Sequence, residues 1–234
     1  MANRILLLCA AATPGLRQGR FPGGGAPGAP DAPNAPDALD MLDEQGRAAI
    51  AAAQNLLADP RDAHCTVFSS PAAAALQTAA ALDFVPHVDA ALRDADYGQW
   101  SGCPLKDIAH ADPERLHAWL TDEAVAPPMG ESFTQVLARV DAWLEAMLTA
   151  AAKAPTHETA KALANVSAAD FAQRSVVAVT HPVVMRAAAL RCDGVSLGVA
   201  ARMDIAPLSI MTLERRHDAW TALPRTSPSV MQSR

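Results

Sequence analysis

The chain's hydrophobic pattern predicts an α/β fold of three layers, a mostly parallel central sheet with helices packed on both faces. Three observations carry that expectation. Short continuous apolar runs at residues 4–9 (RILLLC) and 175–180 (SVVAVT) have the length and composition of strands buried on both faces. Segments with a 3.6-residue apolar period separate such runs, so strands and helices alternate. The 234 residues are 50% hydrophobic and only 19% charged, enough to bury a broad core and too apolar for a disordered chain. One domain over residues 1–234 is the organisation this length suggests.

After the first strand, residues 21–36 cannot be regular. Nine of these sixteen residues are Gly or Pro, which removes both helical and ladder hydrogen bonds and predicts a loop. Residues 38–58 follow as a helix whose apolar face is Leu39, Leu42, Ala49, Ala53, Leu56 and Leu57. Residues 64–69 (HCTVFS) read as a second strand, Pro71 as the first turn of a helix to about Leu82, and residues 84–88 as a third strand. A helical cap is expected over about 104–125, with Asp112 capping and Pro113 taking the first helical position. The longest helix is expected at 131–152, on a stripe that includes Phe133, Val136, Val140, Trp143 and Leu144. Residues 153–173 read as a surface excursion. The second buried run, a helix over 182–191 and two closing strands at 206–213 and 220–223 complete the chain.

Charge and composition exclude several classes of function. The net charge of −6, with no Lys/Arg cluster longer than two, argues against nucleic acid as a partner. No apolar run approaches the roughly 20 residues that span a bilayer, so no membrane association is expected. The apolar run near the N-terminus reads as a first strand rather than as a leader. Cys9, Cys65, Cys103 and Cys192 form no C-x-x-C pair and fit neither a disulfide framework nor a zinc site, which points to reduced thiols and a cytoplasmic protein. His110 and His117 are placed seven apart on the cap without a ligand at metal spacing, so neither a metal nor a cofactor is expected.

In an open α/β sheet, ligands gather at the carboxyl ends of the strands. The chain carries ILLLCAAAT and then GLRQGR there, SSPAAAALQTA at 69–79, LRDADYGQWSG at 92–102, GES at 130–132 with Arg139 beyond, and VVAVTHPVVMR at 176–186. In that order, and with the closing APLSIMTLERRHDAW, these segments resemble the histidine phosphatase superfamily, also called phosphoglycerate mutase-like. The resemblance covers nearly the whole chain. It implies a phosphoglycerate mutase-like sheet, and a site in which a histidine attacks phosphorus, two arginines and a second histidine clamp the phosphate, and a glutamate protonates the leaving oxygen.

Carried over by position, the resemblance puts the nucleophile on Ala10, the first clamping arginine on Cys9 and the second on Ala74. It puts the family's asparagine on Leu16, the proton donor on Asp94 and the second histidine on His181, while Thr13 is retained. Arg17 loosely and Arg20 more closely match places that contact substrate, and Arg186 matches a mostly structural position. A transferring phosphoryl group is stabilised by positioned cations and donors, which methyl groups cannot supply. The expectation is therefore an inactive pseudophosphatase acting through a small-molecule ligand or protein partner. The pocket candidates are Cys9, Ala10, Thr13, Arg17, Arg20, Ala74, Asp94 and His181, and a homodimer is open. The alternative is a phosphohydrolase with a rebuilt site, using His181 with Asp94 or with a Cys9 thiolate.

Overall fold

A computed structural model of the chain describes residues 4–23, 38–53, 65–149, 175–194, 199–200, 203–216 and 219–223. Its strands are β1 (Arg4–Cys9), β2 (Thr66–Ser69), β3 (His87–Val88), β4 (Ser175–Thr180), β5 (Ile210–Arg216) and β6 (Ala219–Ala222). They form one six-stranded sheet in the order β3-β2-β4-β1-β5-β6. Strands β1 to β4 run parallel, whereas β5 and β6 are antiparallel to their neighbours, which is the mostly parallel sheet expected. The helices are α1 (Pro14–Arg17), α2 (Glu44–Ala53), α3 (Ala73–Ala81), α4 (Leu105–Ala111), α5 (Pro113–Thr121), α6 (Phe133–Thr149) and α7 (Pro182–Asp193).

Strand alternation divides the core into two layers. Ile5, Leu7 and Cys9 of β1 pack with Val176 and Ala178 of β4 against α6 and α7. Leu6, Leu8 and Ala10 pack with Val177 and Val179 against α2 and α3. Both faces of the central strands are therefore apolar, which is why RILLLC and SVVAVT do not alternate with polar residues. Burial of each large aliphatic side chain in these layers contributes about 1.5–3 kcal/mol.

Several expected elements are shorter or divided. The helix expected over 38–58 is a short 3₁₀ turn (Ala38–Asp40) followed by α2, and residues 54–58 lie outside those described. The break has a local cause, because Asp43 accepts from the Gly46 N–H (2.9 Å) and starts α2 anew, while the Leu42 N–H goes to Gln77 (2.6 Å). The register then buries Gly46 and Ile50, leaving Ala49 exposed. The third strand is cut to His87–Val88: the Phe84 N–H is spent on the carbonyl of Ala79, and Pro86 has no N–H to offer a ladder. In the cap region, Asp112 caps α5 through the Arg115 N–H (3.1 Å) with Pro113 in the first turn, as read from sequence. That cap divides the region into α4 and α5, so His110 and His117 stand on different helices. Most of the loop 21–36, and all of 153–173, fall outside the described residues.

Candidate functional site

Three neighbouring strand ends build the site. Cys9 is level with Thr180 across the β1–β4 ladder, and Ser69 is level with Val179. Beyond the ladder the Ala10 N–H donates to the Thr180 carbonyl (2.8 Å) and the Ser70 N–H to the Val179 carbonyl (2.9 Å). Ala10, Ser70 and His181 are thereby brought together from distant stretches of sequence. The segment after β1 is held from both sides: the Ala11 N–H donates to Thr78 of α3 (3.1 Å), and α2 approaches so closely that a Cβ on Gly46 would lie 2.9 Å from the Ala12 carbonyl.

Asp94 arrives on a loop fixed by buried polar contacts. The Thr180 hydroxyl donates to the Leu92 carbonyl (2.7 Å), tying the end of β4 to that loop. Arg139 of α6 donates to the carbonyls of Ala91 (2.7 Å) and Asp94 (3.1 Å) and forms a two-pronged pair with the buried Glu131. Glu131 also takes Arg93 (2.9 Å), so one carboxylate anchors two arginines beside the loop. Asp94 Oδ1 then accepts from the Ala95 N–H (2.9 Å) and the Tyr97 hydroxyl (3.3 Å).

All eight residues singled out from the sequence line one open cavity of about 1440 Å³, together with Ala11, Ala12, Ala72, Ala73, Ile205 and Pro207. Its floor is consequently methyl-lined. Each polar candidate has a definite partner. His181 Nε2 is 2.8 Å from the Ser70 hydroxyl, and its Nδ1 lies 3.6 Å from Asp94 Oδ2. Burial pushes the His181 pKa below its usual 6.5, against the pull of Asp94, so the ring is neutral at pH 7. The carboxylate beside Nδ1 favours a proton there, leaving Nε2 to accept from Ser70. Ser70, His181 and Asp94 stand in the order of a hydrolase triad, but the His181–Asp94 separation is beyond hydrogen-bonding reach and Ser70 is fully buried.

Cys9 does not fit the thiolate alternative. Burial, reinforced by Asp94, pushes its pKa up to about 12, so the thiol stays protonated. Neither loop arginine swings onto the floor. Arg17 donates to the Ala12 carbonyl (3.1 Å) and pairs with Asp43, and Arg20 donates to the Gly102 carbonyl. Thr13 caps α1 by accepting from the Leu16 N–H (3.2 Å). Sequence reading gave Ser70 no role of its own and took no account of Tyr97 as the holder of Asp94. The first was visible in the SSP motif and the second in the YGQWSG box, but neither partner could be read from local sequence.

The comparisons with known proteins agree with this architecture. Residues 27–226 match the histidine phosphatase superfamily (branch 1), and the chain belongs to that family. The matched range starts beyond β1. A bifunctional protein of Mycobacterium tuberculosis is 38% identical over 144 residues, which is 59% of this chain and 35% of that protein. The chain therefore spans about a third of the length of the curated relatives it matches. A mycobacterial glucosyl-3-phosphoglycerate phosphatase, solved with VO3, superposes with a TM-score of 0.69 at 25% identity, covering 95% of this chain and 98% of that one. A structure named mycobacterial hydrolase 1 gives a TM-score of 0.71 at 22% identity, covering 96% and 98%.

Proposed function

We propose that this chain is a non-catalytic histidine phosphatase, a pseudophosphatase that works by binding a small-molecule ligand or a protein partner at the cavity. The observation that carries this reading is the methyl floor: Ala10 and Ala74 stand where the resemblance puts the nucleophile and a clamping cation. The Cys9 thiol, at the position of the other clamping cation, is neutral and buried. Loss of a covalent nucleophile and of charge-assisted donors each lowers turnover by orders of magnitude. The remaining polar pair, neutral His181 and Asp94, can bind and orient a ligand but supplies no attacking group. The free cysteines agree with a cytoplasmic location.

Hydrolysis of p-nitrophenyl phosphate tests the reading. The expected result is no turnover above background in the unaltered protein, and measurable turnover in a Cys9→Arg/Ala10→His/Ala74→Arg triple variant. Turnover by the unaltered protein that His181→Ala abolishes would overturn it in favour of a rebuilt phosphohydrolase.

A further inference from the structure

Two charged side chains on the cavity wall have atoms that no hydrogen bond satisfies among the described residues. Asp94 Oδ1 holds the Ala95 N–H and the Tyr97 hydroxyl, but Oδ2 receives no hydrogen bond among the described residues. Its nearest ring nitrogen, His181 Nδ1, is 3.6 Å away, beyond bonding reach, and the Asp94 side chain keeps 17% of its surface open. Arg186, one turn into α7, donates from Nε to the Met203 carbonyl (3.2 Å), and its two Nη groups make no hydrogen bond among the described residues. Both line the same cavity and both act electrostatically on the Cys9 thiol, with opposite sign, yet they form no ion pair with each other. An anion and a cation therefore stand apart over an uncharged floor.

The other arginines on the wall are committed. Arg17 faces Asp43, Arg93 faces Glu131, and Arg20 bonds the Gly102 carbonyl. Besides Arg186, a phosphate dianion would meet only arginines already bonded to the protein, and it would face the Asp94 carboxylate on the same wall. Apolar surface is offered around the mouth, where Leu16 is 51% exposed and Met129 is 85% exposed. Met129 has a φ of +62°, a costly backbone for a side chain of its kind, which displays it at the rim.

We infer that the cavity takes a phosphate-free zwitterion of the amino-acid type, its ammonium on Asp94 Oδ2, its carboxylate on the Arg186 Nη groups, and an apolar side chain over the alanine floor and the Leu16–Met129 rim. This inference rests on the non-catalytic reading and names its ligand class. An ammonium donates to the free oxygen with charge assistance, and a guanidinium fork matches a carboxylate in two bonds.

Calorimetric titration with four probes of similar shape tests it: L-phenylalanine, phenethylamine, 3-phenylpropionate and phenyl phosphate. The expected order has L-phenylalanine at least tenfold tighter than each of the others. Asp94→Asn, which keeps the shape of the side chain, reduces L-phenylalanine to the level of 3-phenylpropionate, and Arg186→Gln reduces it to that of phenethylamine. Thermal melts of both variants separate lost binding from lost fold. Phenyl phosphate binding as tightly as L-phenylalanine, no heat from L-phenylalanine at 10 mM, or unchanged affinity in a folded Asp94→Asn protein overturns the inference. Phosphate release from phenyl phosphate by the unaltered protein would instead bring down the non-catalytic reading.

Discussion

Cys9 and His181 are both titratable residues that burial keeps uncharged, and each gives a measurable consequence. A Cys9 pKa of about 12 leaves roughly one thiol in ten thousand ionised at pH 8. Iodoacetamide should therefore label Cys65, Cys103 and Cys192 in the folded protein well before Cys9, and mass spectrometry of the modified peptides reads the order. Rapid labelling of Cys9 would return the thiolate mechanism to contention. For His181 the folded pKa lies below the unfolded 6.5, so the unfolded chain binds the extra proton first. The histidine's contribution is complete above pH 6.5 and is lost as pH falls toward the folded value. That slope is at most about 1.4 kcal/mol per pH unit. Urea melts at pH 7.5 and 5.5 should show a smaller loss for His181→Gln than for the unaltered protein. At this scale the sequence was a good guide to which residues share the cavity, because the motifs fall in order at strand ends. It was a poor guide to what they touch: His181 and Ser70 are 111 positions apart, and no local pattern encodes a 2.8 Å contact.

Glu131 shows how one buried side chain can govern a whole element. It sits ahead of α6, accepts two arginines and the Asp96 N–H (3.3 Å), and so holds the Asp94 loop from behind. Glu131→Ala leaves Arg139, only 13% exposed, without its partner, and should cost on the order of 3 kcal/mol by chemical denaturation. If the loop is what presents Asp94, any ligand affinity that depends on Asp94 should fall in the same variant even where it remains folded. Elements with a single dominant signal were the legible ones. The aliphatic runs gave β1 and β4, and Asp112-Pro113 gave the start of α5. The helix over 38–58 and the strand over 84–88 were overextended because periodicity alone does not register a competing cap or a committed N–H. Asp43 divides the first, and Pro86 with the closing bond of Phe84 shortens the second.

Across the whole molecule, the sheet and helices are those of the family, and the strand ends that face the cavity carry small side chains at Cys9, Ala10 and Ala74. The backbone at these strand ends is pinned through Thr78, Thr180 and the close approach of α2, so changes of side chain there alter the cavity without moving the scaffold. The scaffold was legible because it rests on two strongly apolar layers; the ligand was not, because Asp94 and Arg186 acquire meaning only when the fold leaves their outer atoms unmatched. The truncated β3 has a consequence of another kind. Among the described residues the sheet ends on that side in two residues, preceded by a proline, so an approaching chain finds almost no backbone to template against. For a sequence this rich in aliphatic strands, that blunt margin is a defence against cross-β aggregation, present from the moment the sheet has formed.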